Sequence, residues 1–405
     1  MTTNPERNAD GLVAASQRIL ANRFGPQLHL EPEQPIDSSP RSKVTRMRVI
    51  GGPADAPATV IVKQAVVAND DEAYNPSATG FSPAWRFFNE WAGLQFLNQV
   101  FPDEAPVPGI YGGDHNLGIL VMEDLGGRDS LTKPLLGNNP VAAEAALIAH
   151  MAMLGRLHAR TVGKQAIYNH IRHALGSNPP YFSPAAESFF RPQQFFDVFH
   201  STLAQLQLEP ERGVDADLAA VAAFWDHQGR FLAYTHGDPA PGNEFQVETQ
   251  RKLIDFEFGG FRHALTEGVY ARMQFVTGWC VARLPDTVAL QMEAAYRNEL
   301  VKGCPEASDD TLFYQAMAEA CGYATLAMWH WAFPGVLASD EAWGLSSYRQ
   351  RILRRLDILT ETTVAFGHLE ALGATASRIA AKLRSIWPPE ADSMPYYPAF
   401  RGDKP

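Results

Sequence analysis

Thr235 to Gly260 reads THGDPAPGNEFQVETQRKLIDFEFGG, and its polar side chains are unusually placed. Asp238 lies between a His-Gly pair and a proline, Asn243 follows five residues later, and Asp255 comes straight after Leu253 and Ile254. Pro239, Pro241 and Gly242 keep the first segment out of a helix, because proline lacks an N–H and glycine takes turn dihedrals. The pattern predicts a strand, a turn carrying Asp238 and Asn243, and a second strand from Lys252 to Phe256 that carries Asp255. Carboxylate and amide oxygens are hard ligands, suited to magnesium rather than zinc or iron. With Asn243 and Asp255 on a metal, Asp238 is left to accept a proton from an incoming hydroxyl. Those are the parts needed for phosphoryl transfer from a nucleotide. Singly, Asp and Asn are ordinary turn residues. The combination carries the reading.

Bulk properties agree with an enzyme of this kind. The chain has 405 residues, 46% apolar and 20% charged, enough for two packed units and ordinary globular composition. Its 34 basic and 45 acidic residues give a net charge of −11, which argues against nucleic-acid or anionic-membrane partners and favours a neutral or cationic substrate. Cys280, Cys304 and Cys321 are far apart with no CxxC pair, so neither a structural zinc nor a disulfide framework is expected. MTTNPERNADG lacks an apolar signal core and no apolar run reaches spanning length, so a cytoplasmic location is expected.

Along the chain two kinds of territory appear. Leu12 to Phe24 reads as an amphipathic helix. Strand-like pieces follow at Leu28 to Leu30, Val44 to Val49, Thr59 to Val67 and Gly118 to Met122, with GGPADAP and YGGDHN read as turns. From about Leu135 the periodicity is helical, as in VAAEAALIAHMAMLGRLHAR and YATLAMWHWAF. The only strand signals there are Phe231 to Tyr234, Phe245 to Val247 and Lys252 to Phe256. The tail WPPEADSMPYYPAFRGDKP reads as extended.

HGDPAPGN followed by LIDFE resembles the catalytic and metal loops of the aminoglycoside phosphotransferase and choline kinase superfamily, small-molecule relatives of protein kinases. The resemblance implies that Asp238 is the catalytic base, that Asn243 and Asp255 hold Mg2+, and that His236 braces the loop. Glu257 matches an acidic position often found after the metal aspartate. The implied fold is α+β and two-lobed, with a small antiparallel sheet and one long helix in the N-lobe and a larger, mainly helical C-lobe. The corresponding division is 1–122, a hinge at 123–126, a catalytic and substrate-binding lobe at 127–385, and a tail at 386–405.

The resemblance also requires parts in a fixed order. A phosphate-contacting lysine is offered by Lys63 in the apolar strand ATVIVKQAVV. SPAWRFFNEWAGLQFLNQV opens with Ser82 as N-cap and Pro83 at the first helical position. In it Glu90 lies beside Phe87, Leu94 and Leu97, where an acid without a partner is costly, and Lys63 is the partner expected. GILVMEDLGG supplies a hinge, and backbone groups around Glu123 and Leu125 would bond adenine. The phosphate-covering loop should lie near SSPRSKVTRMRV, which has no glycine; Ser39 and Ser42, with Ser38 and nearby amides, are its candidates. Other departures are Pro239 and Ala240 after HGD, Glu244 in place of an aliphatic residue, and Glu267 where an aspartate normally caps the next helix.

The implied reaction moves the γ-phosphoryl group of ATP, or of GTP, to a hydroxyl of a small molecule. An amine-bearing acceptor would meet Trp279 and Trp329, with Glu257 and Glu267 adding negative charge. His150 and His158 read as packing residues in an Ala-rich helix. Two rival readings are a nucleotide-binding pseudoenzyme, supported by the glycine-free loop, and a protein serine/threonine kinase, opposed by the short Asn243 to Asp255 connection. No GxSxG, HExxH or strand-following GxGxxG points to a hydrolase or oxidoreductase.

Overall fold

The structure, a computed structural model, describes residues 5–38, 41–66, 74–127, 129–175, 193–226 and 229–402. They fall into two compact units, Met1–Arg128 with Ala166–Glu187 and Val247–Gly259, and Asp129–Gln165 with Ser188–Gln246 and Gly260–Pro405. The division departs from a simple cut at the hinge, because the segment carrying Asp255 groups with the first unit.

In the first unit, helix α1 (Pro5–Phe24) precedes strands β1 (His29–Ser38), β2 (Ser42–Ile50) and β3 (Thr59–Ala65). Helix α2 (Pro83–Val100) leads to β4 (Ile110–Asp114) and β5 (Ile119–Glu123). The strands form one antiparallel sheet in the order β1-β2-β3-β5-β4. Alternation along β3 sends Val60 and Val62 into a core with Ala15 and Leu20 of α1, Met47, Ile119 and Val121. The same alternation places Lys63 on the opposite face.

Helix α2 starts as its sequence suggests, with Ser82 Oγ accepting from Trp85 N at 3.2 Å and Pro83 in the first turn. It is buried on more than one side, as its wealth of aromatics demands. Phe96 meets Tyr168 edge-on, and the Arg172 guanidinium lies 4.8 Å from the Phe88 ring centre, both partners coming from helix α5 (Gln165–Ala174). On another side Trp91 lies against β4. A Cβ at Gly113 would come within 3.0 Å of Trp91 Cη2 and 2.8 Å of Ile119 O. This explains why YGGDHN misleads: its glycines are strand residues that make room for neighbours, Gly112 for Ile19 and Gly113 for the indole, and the register shifts beside Gly112.

In the second unit, α3 (Thr132–Leu136) is short and α4 (Pro140–Thr161) is long, capped by Asn139 Oδ1 on Ala142 N. Helix α4 packs on the Asp286–Leu300 helix so closely that a Cβ at Gly155 would lie 2.4 Å from Tyr296 O. Strand β6 (Leu232–Thr235) pairs antiparallel with Gly260–His263, a four-residue strand too short and glycine-led to register in the sequence. Between them run Glu244–Val247 and Gln250–Leu253. The second of these stops before Asp255, which takes a left-handed conformation (φ 70°) instead of strand geometry. Long helices Asp310–Val336, Tyr348–Phe366 and Glu370–Ile386 complete the unit.

The C-terminal segment is docked, not simply extended. It turns at Pro389–Asp392 and Pro398–Phe400, buries Tyr397, and bonds Tyr397 N to Arg283 O at 3.1 Å. No helix among the described residues is long and apolar enough to cross a membrane.

Candidate functional site

Lys63 organises the polar cluster of the first unit. Its Nζ lies 2.7 Å from Glu90 Oε2 and also pairs with Asp255 Oδ1. Strand β3 points the lysine away from the α1 core, α2 presents Glu90, and the left-handed turn at 255 presents the aspartate; Asp adopts that conformation more readily than most residues. One cation thus serves two carboxylates. Burial acts to lower the Lys63 pKa, but the charges of Asp255 and Glu90 override it and raise the group above its ordinary value. Burial lifts Glu90 to about 7 against the pull of Lys63, with the Asp255 charge adding to the rise. The two shifts look contradictory for an ion pair, and they reconcile because Lys63 is shared and the trio carries one excess negative charge.

Around this trio lie two further ion-pair groups. Glu257 is buried, with Oε1 2.8 Å from Arg41 Nη1 and Oε2 3.2 Å from Arg86 Nε. Both carboxylate oxygens are engaged by arginines of the same unit. After β5, Asp124 takes a two-pronged bond from Arg46 (2.6 and 3.1 Å) and one from Gly126 N (2.8 Å). Burial acts to raise the Asp124 pKa, yet these bonds hold it below the usual value. Glu123 Oε2 accepts from Lys252 Nζ at 2.7 Å and Gly109 N at 2.8 Å, and Leu125 is buried. Ser42 opens β2 opposite Ala65, while Ser39 lies outside the described residues.

In the second unit β6 ends at Thr235 and the HGD loop begins. His236 is fully buried, and its Nδ1 accepts from Asp238 N at 3.1 Å. Asn243 Nδ2 donates to Asp238 O at 2.9 Å, which fixes the amide orientation and turns its oxygen the other way. Glu267, expected beside the acceptor, lies against this loop. Its Oε1 accepts from Gly237 N at 2.5 Å and its Oε2 lies 2.9 Å from His158 Nε2. Burial acts to raise the Glu267 pKa, but the His158 and Gly237 bonds hold it below the ordinary carboxylate range, so it stays an acceptor. His158 also meets Tyr296 OH at 2.8 Å, and so is more than the packing residue it reads as.

The other histidine of α4 is equally committed. His150 Nδ1 pairs with Glu244 Oε2, both side chains fully buried. Glu244, the acid in an aliphatic position, thus has its partner 94 residues away. A buried acid in a strand signals that a partner must exist, but nothing local says which.

The two tryptophans separate. Trp329 is 1% exposed, donates from Nε1 to Thr202 Oγ1 at 3.1 Å and stacks on Phe333 at 4.6 Å. It is part of the core of the second unit. Trp279 is 47% exposed. It follows Thr277, whose hydroxyl donates to Asp238 Oδ1, a contact that sequence reading does not find.

With this geometry in view, the comparisons with known proteins are direct. Residues 83–300, more than half of the chain, match the phosphotransferase enzyme family (APH), and the chain belongs to that family. The choline kinase of Cryptosporidium parvum Iowa II is similar over 91% of this chain and 99% of its own, with a TM-score of 0.52 and 10% identity. A choline/ethanolamine kinase family protein from Mesorhizobium loti covers 91% and 99% at TM-score 0.45 and 14% identity. Plasmodium vivax ethanolamine kinase covers 84% and 85% at TM-score 0.44 and 10% identity. No curated protein matches the sequence. The fold is the protein-kinase-like α+β fold shared with the first of these structures, and the chain is a phosphotransferase of that superfamily.

Proposed function

We propose that the chain transfers the γ-phosphoryl group of Mg-ATP to a hydroxyl of a small molecule. The observation that carries this is Lys63 held between Glu90 and Asp255, a cation fixed in place by one carboxylate and set against another. In this reading the first unit is the nucleotide lobe, the second the acceptor lobe, and 123–126 the hinge. Lys63 neutralises phosphate oxygens, and Glu90 keeps it aimed. Backbone groups near Glu123 and Leu125 take the adenine, although Glu123 N is already bonded to Gly109 O at 2.8 Å, which leaves its carbonyl for that role. Ser42, at the start of β2, is assigned to the phosphates.

Asp255 and Asn243 would hold Mg2+. Their donor set fits, being one carboxylate and one amide oxygen with the amide nitrogen already spent on Asp238 O. An ion of this kind takes few protein ligands and completes its shell with phosphates and water. When bound, the ion neutralises charge on the phosphates.

Asp238 accepts the proton of the acceptor hydroxyl as the new O–P bond forms and the bond from Pγ to the bridging oxygen breaks, releasing ADP. No covalent enzyme intermediate is involved. His236 and Glu267 keep the backbone around Asp238 in place. Trp279 offers an exposed indole two residues from Thr277, and we assign it to a cationic or amine-bearing acceptor.

Titration calorimetry with ATP and GTP, with and without Mg2+, tests the nucleotide half. Wild type should show metal-enhanced binding and Asp255→Ala should lose the enhancement. An enhancement unchanged in Asp255→Ala would remove Asp255 from the metal. The acceptor is sought by ADP release across amino-alcohols, sugars and aminocyclitols, choline and ethanolamine included.

A further inference from the structure

We propose that Thr277 is the positioning residue of Asp238, and that Tyr270, Arg351 and Arg355 hold Thr277 in place. This rests on Asp238 being the base. Thr277 Oγ1 donates to Asp238 Oδ1 and also lies 2.9 Å from Tyr270 OH. A hydroxyl has one proton to give. Since the threonine gives its own to Asp238, the tyrosine must be the donor in the second bond. The chain therefore runs in one direction, from Tyr270 through Thr277 to Asp238. Burial above all, then the Asp238 charge, raises the Tyr270 pKa well above its ordinary value, so the phenol keeps its proton.

The segment that carries Thr277 is held in an unfavourable shape. Gln274 and Phe275 have positive φ (55° and 69°), and Gly278 has φ 103°. Backbone of this kind persists only where its surroundings over-determine it. Here the surroundings are two buried arginines, four residues apart on the Tyr348–Phe366 helix. Arg355 donates to Val276 O, and Arg351 donates to Gly278 O at 3.0 Å and Trp279 O at 3.2 Å. Thr277 sits between these anchor points. Burial pushes Arg351 down to about 10 and Arg355 to about 9, and both remain cations at neutral pH. Burying two cations on backbone carbonyls is a costly way to fix a surface turn, but a direct way to fix one hydroxyl. A Cβ at Gly278 would lie 3.1 Å from Ala240 Cβ, so the segment rests on the HGD loop itself.

The test follows ADP release from Mg-ATP with water as acceptor, using the full chain. Thr277→Val keeps the shape and removes the hydroxyl. It should lower kcat by about 10- to 100-fold with KM for Mg-ATP little changed. Thr277→Ser should restore most of the rate, and Tyr270→Phe should produce a smaller fall in kcat alone. Wild-type kcat in Thr277→Val overturns the inference, as does equal impairment of the Val and Ser variants with KM rising alongside. Asp238→Asn is run in parallel. If it loses turnover while Thr277→Val does not, only the positioning role falls; if it keeps turnover, the reading of Asp238 as base falls first.

Discussion

Lys63 shows how much one side chain can be asked to balance. Removing its charge leaves two neighbouring carboxylates, Glu90 buried and Asp255 beside it. Lys63→Met should therefore destabilise the first unit by about 3–5 kcal/mol, and adding Glu90→Gln should recover part of that loss. Denaturant titration of the single and double variants checks both. His263 gives a second residue-scale expectation. Burial, then the His158 charge, lowers it from 6.5 to about 3, and its ring lies between Phe224 and Phe231. The native state thus holds it neutral while the unfolded chain protonates it, so the unfolded state binds more protons below 6.5. Stability is lost as pH falls from 6.5 toward 3, and His263→Phe should flatten that part of the acid-unfolding curve. Lys63, Glu90 and Asp255 were visible in the sequence because each breaks an apolar pattern at a spacing with chemical meaning. His158 with Glu267, and Thr277 with Asp238, were not, since their partners are 109 and 39 residues apart and no local period marks them.

At the scale of elements, sequence reading succeeds where a periodic pattern has a cap. Helix α2 announces itself with Ser82 and Pro83, whereas α4 shows only its run of helix formers and its Asn139 cap emerges from the structure. It fails where tertiary packing decides. Strand β4 hides behind Gly112 and Gly113, which leave room for Ile19 and Trp91 respectively, and Gly260–His263 is too short to show alternation. Asp255 sits beyond its strand because the chain must turn left-handed there. Gly155 is the element-scale test. An added methyl would strike the backbone of the facing helix at Tyr296 O, which cannot swing aside as a side chain does. Gly155→Ala should cost about 1–3 kcal/mol, seen as a lower denaturation midpoint at unchanged slope.

Across the whole molecule, composition excluded more than it identified: a net charge of −11 and scattered cysteines fit many enzymes. The fold became legible through the order of motifs along the chain. What sequence order could not show is that the segment holding Asp255 packs with the first unit and that the C-terminal segment docks on the second. The three cysteines provide a global check. All are free and buried, and burial raises Cys280 and Cys304 to about 11 and Cys321 to about 12. A thiol reagent at neutral pH should find them nearly inert in the native chain and all reactive once it unfolds; rapid native labelling would contradict the packing described.

The proposed role of Asp238 is to receive the acceptor proton during phosphoryl transfer. It is tested most directly by single-turnover phosphoryl transfer from Mg-ATP in wild type and Asp238→Asn, with nucleotide affinity measured on the same samples. Transfer should fall about 10²- to 10⁴-fold with affinity retained. Wild-type transfer in Asp238→Asn would contradict it.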